Sequence, residues 1–196
     1  TLALSLSLGI GLFFLLPAGL GGAAEHYLGW SPWLNNLAEG VLRLVFLVGY
    51  IWAISFMPDV KRLFMYHGAE HKTINAFEAG AELTPESVAK YPIEHARCGT
   101  AFLLTLVLLS ILVFTALGPL SMFWRLASRV IFIPILAGVA VEYIRWTANH
   151  LNNPFVQMII KPNLAMQHLT TRTPDLSMLE VAIASFQSMR KAEQEA

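Results

Sequence analysis

The sequence predicts an all-α, polytopic membrane protein with about four transmembrane helices and additional cytoplasmic helices. Three observations carry that expectation. Only 13% of the 196 residues are charged and 56% are apolar, whereas a soluble domain carries about 25% charged residues to wet its surface. Four stretches approach the roughly 20 apolar residues that a helix needs to cross a hydrocarbon core. The Lys and Arg residues outside those stretches are unevenly divided among the connections.

The spans fall at about residues 2–24, 41–57, 101–117 and 127–148. The first has no basic leading region and runs on through Leu12 to Leu16, past the length of a signal-peptide core, so it reads as a span, loosened around Pro17 and Gly19. The second carries Arg43 near its start, placed to snorkel to the interface. The third has no charge at all, and the fourth contains Pro134, then Glu142 and Arg145 one turn apart. The chain begins at Thr1 rather than Met, so a leading segment is expected ahead of it.

Loop charges set the orientation. The connection after the first span has no Lys or Arg, whereas residues 58–100 hold Lys61, Arg62, Lys72, Lys90 and Arg97, and the tail 149–196 holds Lys161, Arg172, Arg190 and Lys191. The positive-inside rule places loop 58–100, the tail and both termini of this chain in the cytoplasm, against the weaker pull of Arg125 and Arg129. In the loop, Asp59 to Ala79 reads as one helix continuing out of the second span, stopped by Gly80, and Thr84, Pro85 and Glu86 open a short capped helix. In the tail, Thr173, Pro174 and Asp175 open an amphipathic helix with Leu176, Leu179, Ile183 and Phe186 on one stripe, which must dock on protein or lie on the membrane. The charges sum to zero, which speaks against a nucleic-acid partner because phosphate neutralisation needs a basic surplus. The single cysteine, Cys98, excludes an intrachain disulfide.

The chemistry lies in the run Tyr66, His67, Gly68, Ala69, Glu70, His71, Lys72. Residues four apart share a helical face, so His67 and His71 can offer two imidazole nitrogens to one metal, with Glu70 beside them as general base. This is the inverted zincin pattern H-x-x-E-H. A catalytic zinc takes three protein ligands and keeps one position open. His95 is the expected third, and Cys98 follows it at ligand-like spacing. If all four bind, the shell closes and zinc, or another divalent metal, is a structural staple. If three bind, the open position serves catalysis.

Glu78 shares the face of His67 but lies too far along the axis from His71 for the same ion, so it suits a second metal or an outer-shell role. Glu142 falls near the cytoplasmic end of the fourth span, where it either pairs with Arg145 or orients a ligating histidine. Gln167, His168, Thr170, Thr171 and Arg172 form a polar group in the tail, readable as an anion site around Arg172 or as a turn before the capped helix.

Beyond this chemistry, Asn36, Glu39, Arg43, Asp59, Lys61 and Arg62, the run from Tyr66 to Thr73, then His95, Arg97 to Thr100, Glu142, Gln167, Thr170 to Arg172, Pro174, Asp175 and Glu180 to Ile183 resemble the YqhQ-like bacterial membrane proteins. The likeness covers roughly residues 35 to 190. That family is of unknown function and is commonly described as predicted metal-dependent enzymes. Its members usually carry a glycine-rich soluble segment ahead of the first span. Where the family typically reads His-Pro-Arg-Cys-Gly-Thr-Ser, this chain has Ala96 for the proline and Ala101 for the serine, leaving His95, Arg97 and Cys98 in place. The resemblance implies a bacterial inner-membrane protein and brings no substrate.

Two readings compete. One is a zinc-dependent hydrolase acting on an amphipathic substrate at the cytoplasmic interface, with Glu70 as base, His67, His71 and a third ligand on the metal, and Glu142, Arg145, Arg97 and Arg172 as outer or substrate-binding groups. The other is a non-enzymatic assembly factor or lipid-binding scaffold with a structural metal. Membrane lipids are partners in either case, and a homo-oligomer or membrane-protein partner is compatible with both.

Overall fold

A computed structural model describes residues 4, 7, 8, 11–118, 120 and 122–195. Their regular structure is all helical, with no strand among the described residues. A π-helical turn, Gly11–Leu15, leads into α1 (Leu16–Leu28). Of the start of the predicted first span, residues 2, 3, 5, 6, 9 and 10 lie outside the described residues. The loosening expected near Pro17 takes the form of that turn, because proline supplies no N–H and crowds the carbonyl one turn earlier. There follow α2 (Pro32–Ile54), α3 (Pro58–Glu78), α4 (Pro85–Val88), α5 (Gly99–Ala116), α6 (Met122–Asn149), α7 (Pro154–Thr170) and α8 (Leu176–Glu195). Among the described residues three helical segments are long and apolar enough to cross a membrane: Pro32–Ile54, Gly99–Ala116 and Val130–Asn149.

The chain divides into two compact units, residues 1–51 with 102–145 and residues 52–101 with 146–196. In the first unit α2 begins nine residues before the predicted second span, which changes the place of Arg43. Instead of snorkelling from a helix end, it bonds to Glu39 one turn back, whose side chain is buried. The two helices α2 and α5 meet closely at Gly40, where a Cβ would stand 2.7 Å from Ile111. A cavity of about 370 Å³ lies within this unit, its wall largely apolar but including Glu39 and Arg43.

The second unit holds the site. The expected continuous helix out of the second span is interrupted: Met57 is extended (φ −70, ψ 131) and Pro58 starts α3 as a new helix, since a residue before proline is pushed out of the helical region. At the far end Gly80 (φ 69) sits just past the cap, and the Ala81 and Gly80 amides close onto Ala76 and Phe77 carbonyls, the geometry of a Schellman stop. Thr84 caps α4 as predicted, its hydroxyl accepting from the Ser87 amide at 3.4 Å.

Helix α8 docks on protein. Its Met178, Leu179 and Ile183 pack with Ala69 and Ala76 of α3 and Val88 of α4 to form the buried core of this unit, and Phe186 meets Phe77 at 4.9 Å. The stripe is therefore shifted from the predicted one, with Leu176 about half exposed and Met178 inside. Asp175 caps the helix, accepting from the Met178 amide at 2.9 Å and the Ser177 hydroxyl at 2.7 Å. Both bonds hold its carboxyl below the usual range.

The largest addition to expectation is α7, which occupies tail residues for which the sequence reading names no helix. Asn153 caps it through the Phe155 amide at 2.9 Å, and Pro154 occupies the first turn, where its missing N–H costs nothing. Pro162 inside the helix masks the pattern in sequence.

Candidate metal centre

The site is built on α3 where the chain after α7 crosses it. The Arg172 amide donates to the Phe64 carbonyl at 2.9 Å, and a Cβ at Gly68 would stand only 2.2 Å from the Arg172 carbonyl oxygen. Glycine in the middle of the histidine run is thus required by a backbone crossing. The crossing places the Thr170 carbonyl against His67, whose Nδ1 donates to it at 2.9 Å.

One turn on, His71 Nδ1 donates to the Ile93 carbonyl at 2.6 Å. A carbonyl only accepts, so in both rings Nδ1 carries a proton. Each Nε2 is then left available as a ligand atom, the ring oriented from outside as in metal-binding histidines. The loop that supplies Ile93 is strapped to α3 by Lys72, which donates to the Ala89 carbonyl at 2.9 Å and to that of Tyr91. Asn75 adds two bonds, to Pro92 and Glu94 carbonyls at 3.0 and 2.9 Å. Burial holds the Lys72 amine below its ordinary value, partly offset by the Glu94 charge.

Cys98 completes the group. It occupies the cap position of α5, its Sγ accepting from the Thr100 amide and lying 3.4 Å from His67 Nε2. Ligand atoms of His67, His71 and Cys98 all fall within 4.8 Å of one another, and Cys98 and His71 are buried. Burial acts to raise the Cys98 thiol, but hydrogen bonds from His67, His71 and Thr100 outweigh it and bring the thiol from 9.0 to about 5. A helix N-terminus favours the thiolate in the same sense. The bond with Cys98 in turn raises the His67 imidazole, against burial.

His95 stands beside this group. Its ring centre is 5.8 Å from that of His71, its Nδ1 accepts from the Arg97 amide at 3.4 Å, and its Nε2 faces Glu78 at 3.5 Å. Burial lowers its imidazole, partly countered by Glu78. Arg97 also bonds to Glu78, so these three side chains anchor the loop to the end of α3. Gln167, fully buried in α7, clamps the His95 peptide from the other side: its Oε1 accepts from the His95 amide at 2.8 Å and its Nε2 donates to the His95 carbonyl at 2.9 Å.

Glu70 is exposed and lines a cleft of about 450 Å³ together with His67, Leu63, Phe64, Tyr66, Thr100 and Thr170. The Arg172 guanidinium turns back to the His168 and Thr171 carbonyls at 2.5 and 2.8 Å, capping α7. Glu142 and Arg145 belong to the first unit, where they pair at 3.1 Å with both side chains exposed.

Sequence reasoning did not reach three contributors: the Thr170 and Ile93 carbonyls and the strap from Lys72 and Asn75. Main-chain acceptors leave no mark in a sequence. Lys72 and Asn75 stand one and four residues beyond His71 on the same helix, a spacing that could have drawn attention.

The fold and site define an all-helical protein with membrane-crossing helix lengths and a His-His-Cys group, two of its members buried, beside an open cleft. The chain belongs to the DUF1385 family, described as proteins of unknown function, whose model matches residues 1–192. It is similar to the "Uncharacterized protein YqhQ" of Bacillus subtilis (strain 168), 35% identical over 155 residues, covering 79% of this chain and 49% of that protein. This chain thus spans about half the length of that relative. No solved structure matches it.

Proposed function

We propose that the protein is a zinc-dependent hydrolase of the bacterial inner membrane, with its site on the cytoplasmic side and an amphipathic substrate. The observation that carries the reading is the pair of main-chain carbonyls that keep a proton on Nδ1 of His67 and of His71, turning both Nε2 atoms to the Cys98 sulfur. Two neutral imidazoles and a thiolate are a donor set that suits zinc, and three protein ligands leave one position open. Zinc bound there supplies Lewis acidity and lowers the pKa of a bound water towards about 7.

The remaining chemistry belongs to the chain. Glu70, in the lining of the same cleft, takes a proton from the attacking water as the water oxygen bonds to the substrate carbonyl carbon. It then passes that proton to the leaving oxygen or nitrogen as the old bond breaks, giving a carboxylic acid and an alcohol or amine. His95, Glu78, Arg97 and Gln167 hold the loop that carries the Ile93 carbonyl and Cys98. The charge distribution among the loops supports the cytoplasmic placement.

Zinc stoichiometry of the purified chain and of Glu70→Gln and Cys98→Ser variants tests this. The expectation is one zinc per chain, retained in Glu70→Gln with hydrolysis lost, and weakened in Cys98→Ser. Unfolding on chelation, with no hydrolysis of any amphipathic ester or amide, would replace this reading with that of a structural staple.

A further inference from the structure

The charge around the cleft restricts what it can hydrolyse, an inference that rests on the zinc reading above. Besides His67 and Glu70 the cleft is lined by Leu63, Phe64, Tyr66, Thr100 and Thr170, and the two threonine hydroxyls bond to each other at 3.0 Å. No Lys or Arg lines the cleft among the described residues. The nearby cations are turned to other work: the Arg62 guanidinium lies over the Tyr66 ring, 5.9 Å from its centre, and acts on the Asp175 carboxylate, while that of Arg172 caps α7.

Sites that transfer phosphoryl groups surround the developing charge with Arg, Lys or further metal ions. This cleft presents the reverse, with the Glu70 carboxylate in its lining and no Lys or Arg there among the described residues. Leu63, in the same lining, is 62% exposed. We propose that the substrate is a carboxylic ester or amide whose acyl group is apolar and uncharged, and that phosphate esters are rejected. An acyl lipid and a hydrophobic peptide share this chemistry.

The test is calorimetric binding to the zinc-loaded full chain in detergent, using octanohydroxamic acid, uncharged in solution, and the monoanionic methyl ester of octylphosphonic acid. The hydroxamic acid is expected to bind at least tenfold tighter, and Glu70→Lys, with zinc stoichiometry verified, to gain at least tenfold for the phosphonate. A leucine-containing peptide hydroxamate binding more tightly than the octanoyl probe identifies a peptide as the source, and the opposite order an acyl lipid. Equal or tighter phosphonate binding by the wild-type chain, with zinc bound, overturns this inference alone. Failure of the chain to bind zinc overturns the hydrolase reading and this inference with it.

Discussion

Replacement of Gly68 by alanine separates helix propensity from tertiary geometry, because the two act with opposite sign. In an unencumbered helix the change stabilises by about 0.5–1 kcal/mol. Here the new methyl would stand 2.2 Å from the Arg172 carbonyl oxygen, where real Cβ atoms essentially never come within 3.0 Å, so the crossing backbone must retreat by about 0.8 Å. Overpacking of this kind costs about 1–3 kcal/mol. The retreat also strains the bonds from Arg172 to Phe64 and from His67 to Thr170, both 2.9 Å and worth about 1 kcal/mol each. Set against the propensity gain, the net loss is about 2–4 kcal/mol when both bonds are lost. Because the Thr170 carbonyl orients His67, zinc affinity should fall about 10–100-fold. Thermal denaturation in detergent, followed by circular dichroism, and competition with a zinc chelator measure the two effects. A Gly68→Ala chain as stable as the parent or more so, with zinc affinity unchanged, would refute the backbone crossing.

Three further outcomes are expected. Gln167→Ala strips two hydrogen bonds from the buried His95 peptide and should cost about 2–4 kcal/mol, with faster exchange of the His95 amide as its local signature. Leu179→Ala opens the core between α3, α4 and α8, where Leu179 is 1% exposed; a loss of about 2–5 kcal/mol in denaturation is expected. Asp175 has a lowered carboxyl, so the stability it lends is present above its unfolded value of 3.8 and lost as pH falls through the lower folded one. The difference in melting temperature between the wild type and Asp175→Ala should therefore narrow in strong acid and be full at neutral pH.

Much of this organisation can be read directly from the amino-acid sequence, for reasons that differ by element. Long apolar runs declare α5 and most of α2 and α6 because length and hydropathy are local properties. The Thr84 and Asp175 caps are equally local, as is the stop at Gly80. The His67–His71 pairing follows from helical spacing alone. What is not legible depends on contacts distant in sequence. Cys98 and His95 have similar credentials on paper, and only the loop geometry turns His95 to Glu78 while Cys98 faces the histidines. Gln167 looks like part of a polar turn, since nothing local says that its amide will clamp a peptide 72 residues earlier. Helix α7 is obscured by Pro162, and the extra turns of α2 by the polar residues Asn35, Asn36 and Glu39, two of which, Asn35 and Glu39, are buried.

The carbonyl that orients His67 comes from a residue 103 positions later, and this has a consequence for biosynthesis. At about 5–20 residues per second, the ribosome delivers Thr170 roughly 5–20 seconds after His67. For most of that interval the two histidines and Cys98 already exist, yet His67 has no fixed tautomer. On the zinc reading proposed above, a metal ion captured in that interval would meet a His67 ring that is not yet oriented. A truncated or stalled chain that ends before Thr170 therefore carries the whole H-x-x-E-H run without the carbonyl that orients His67.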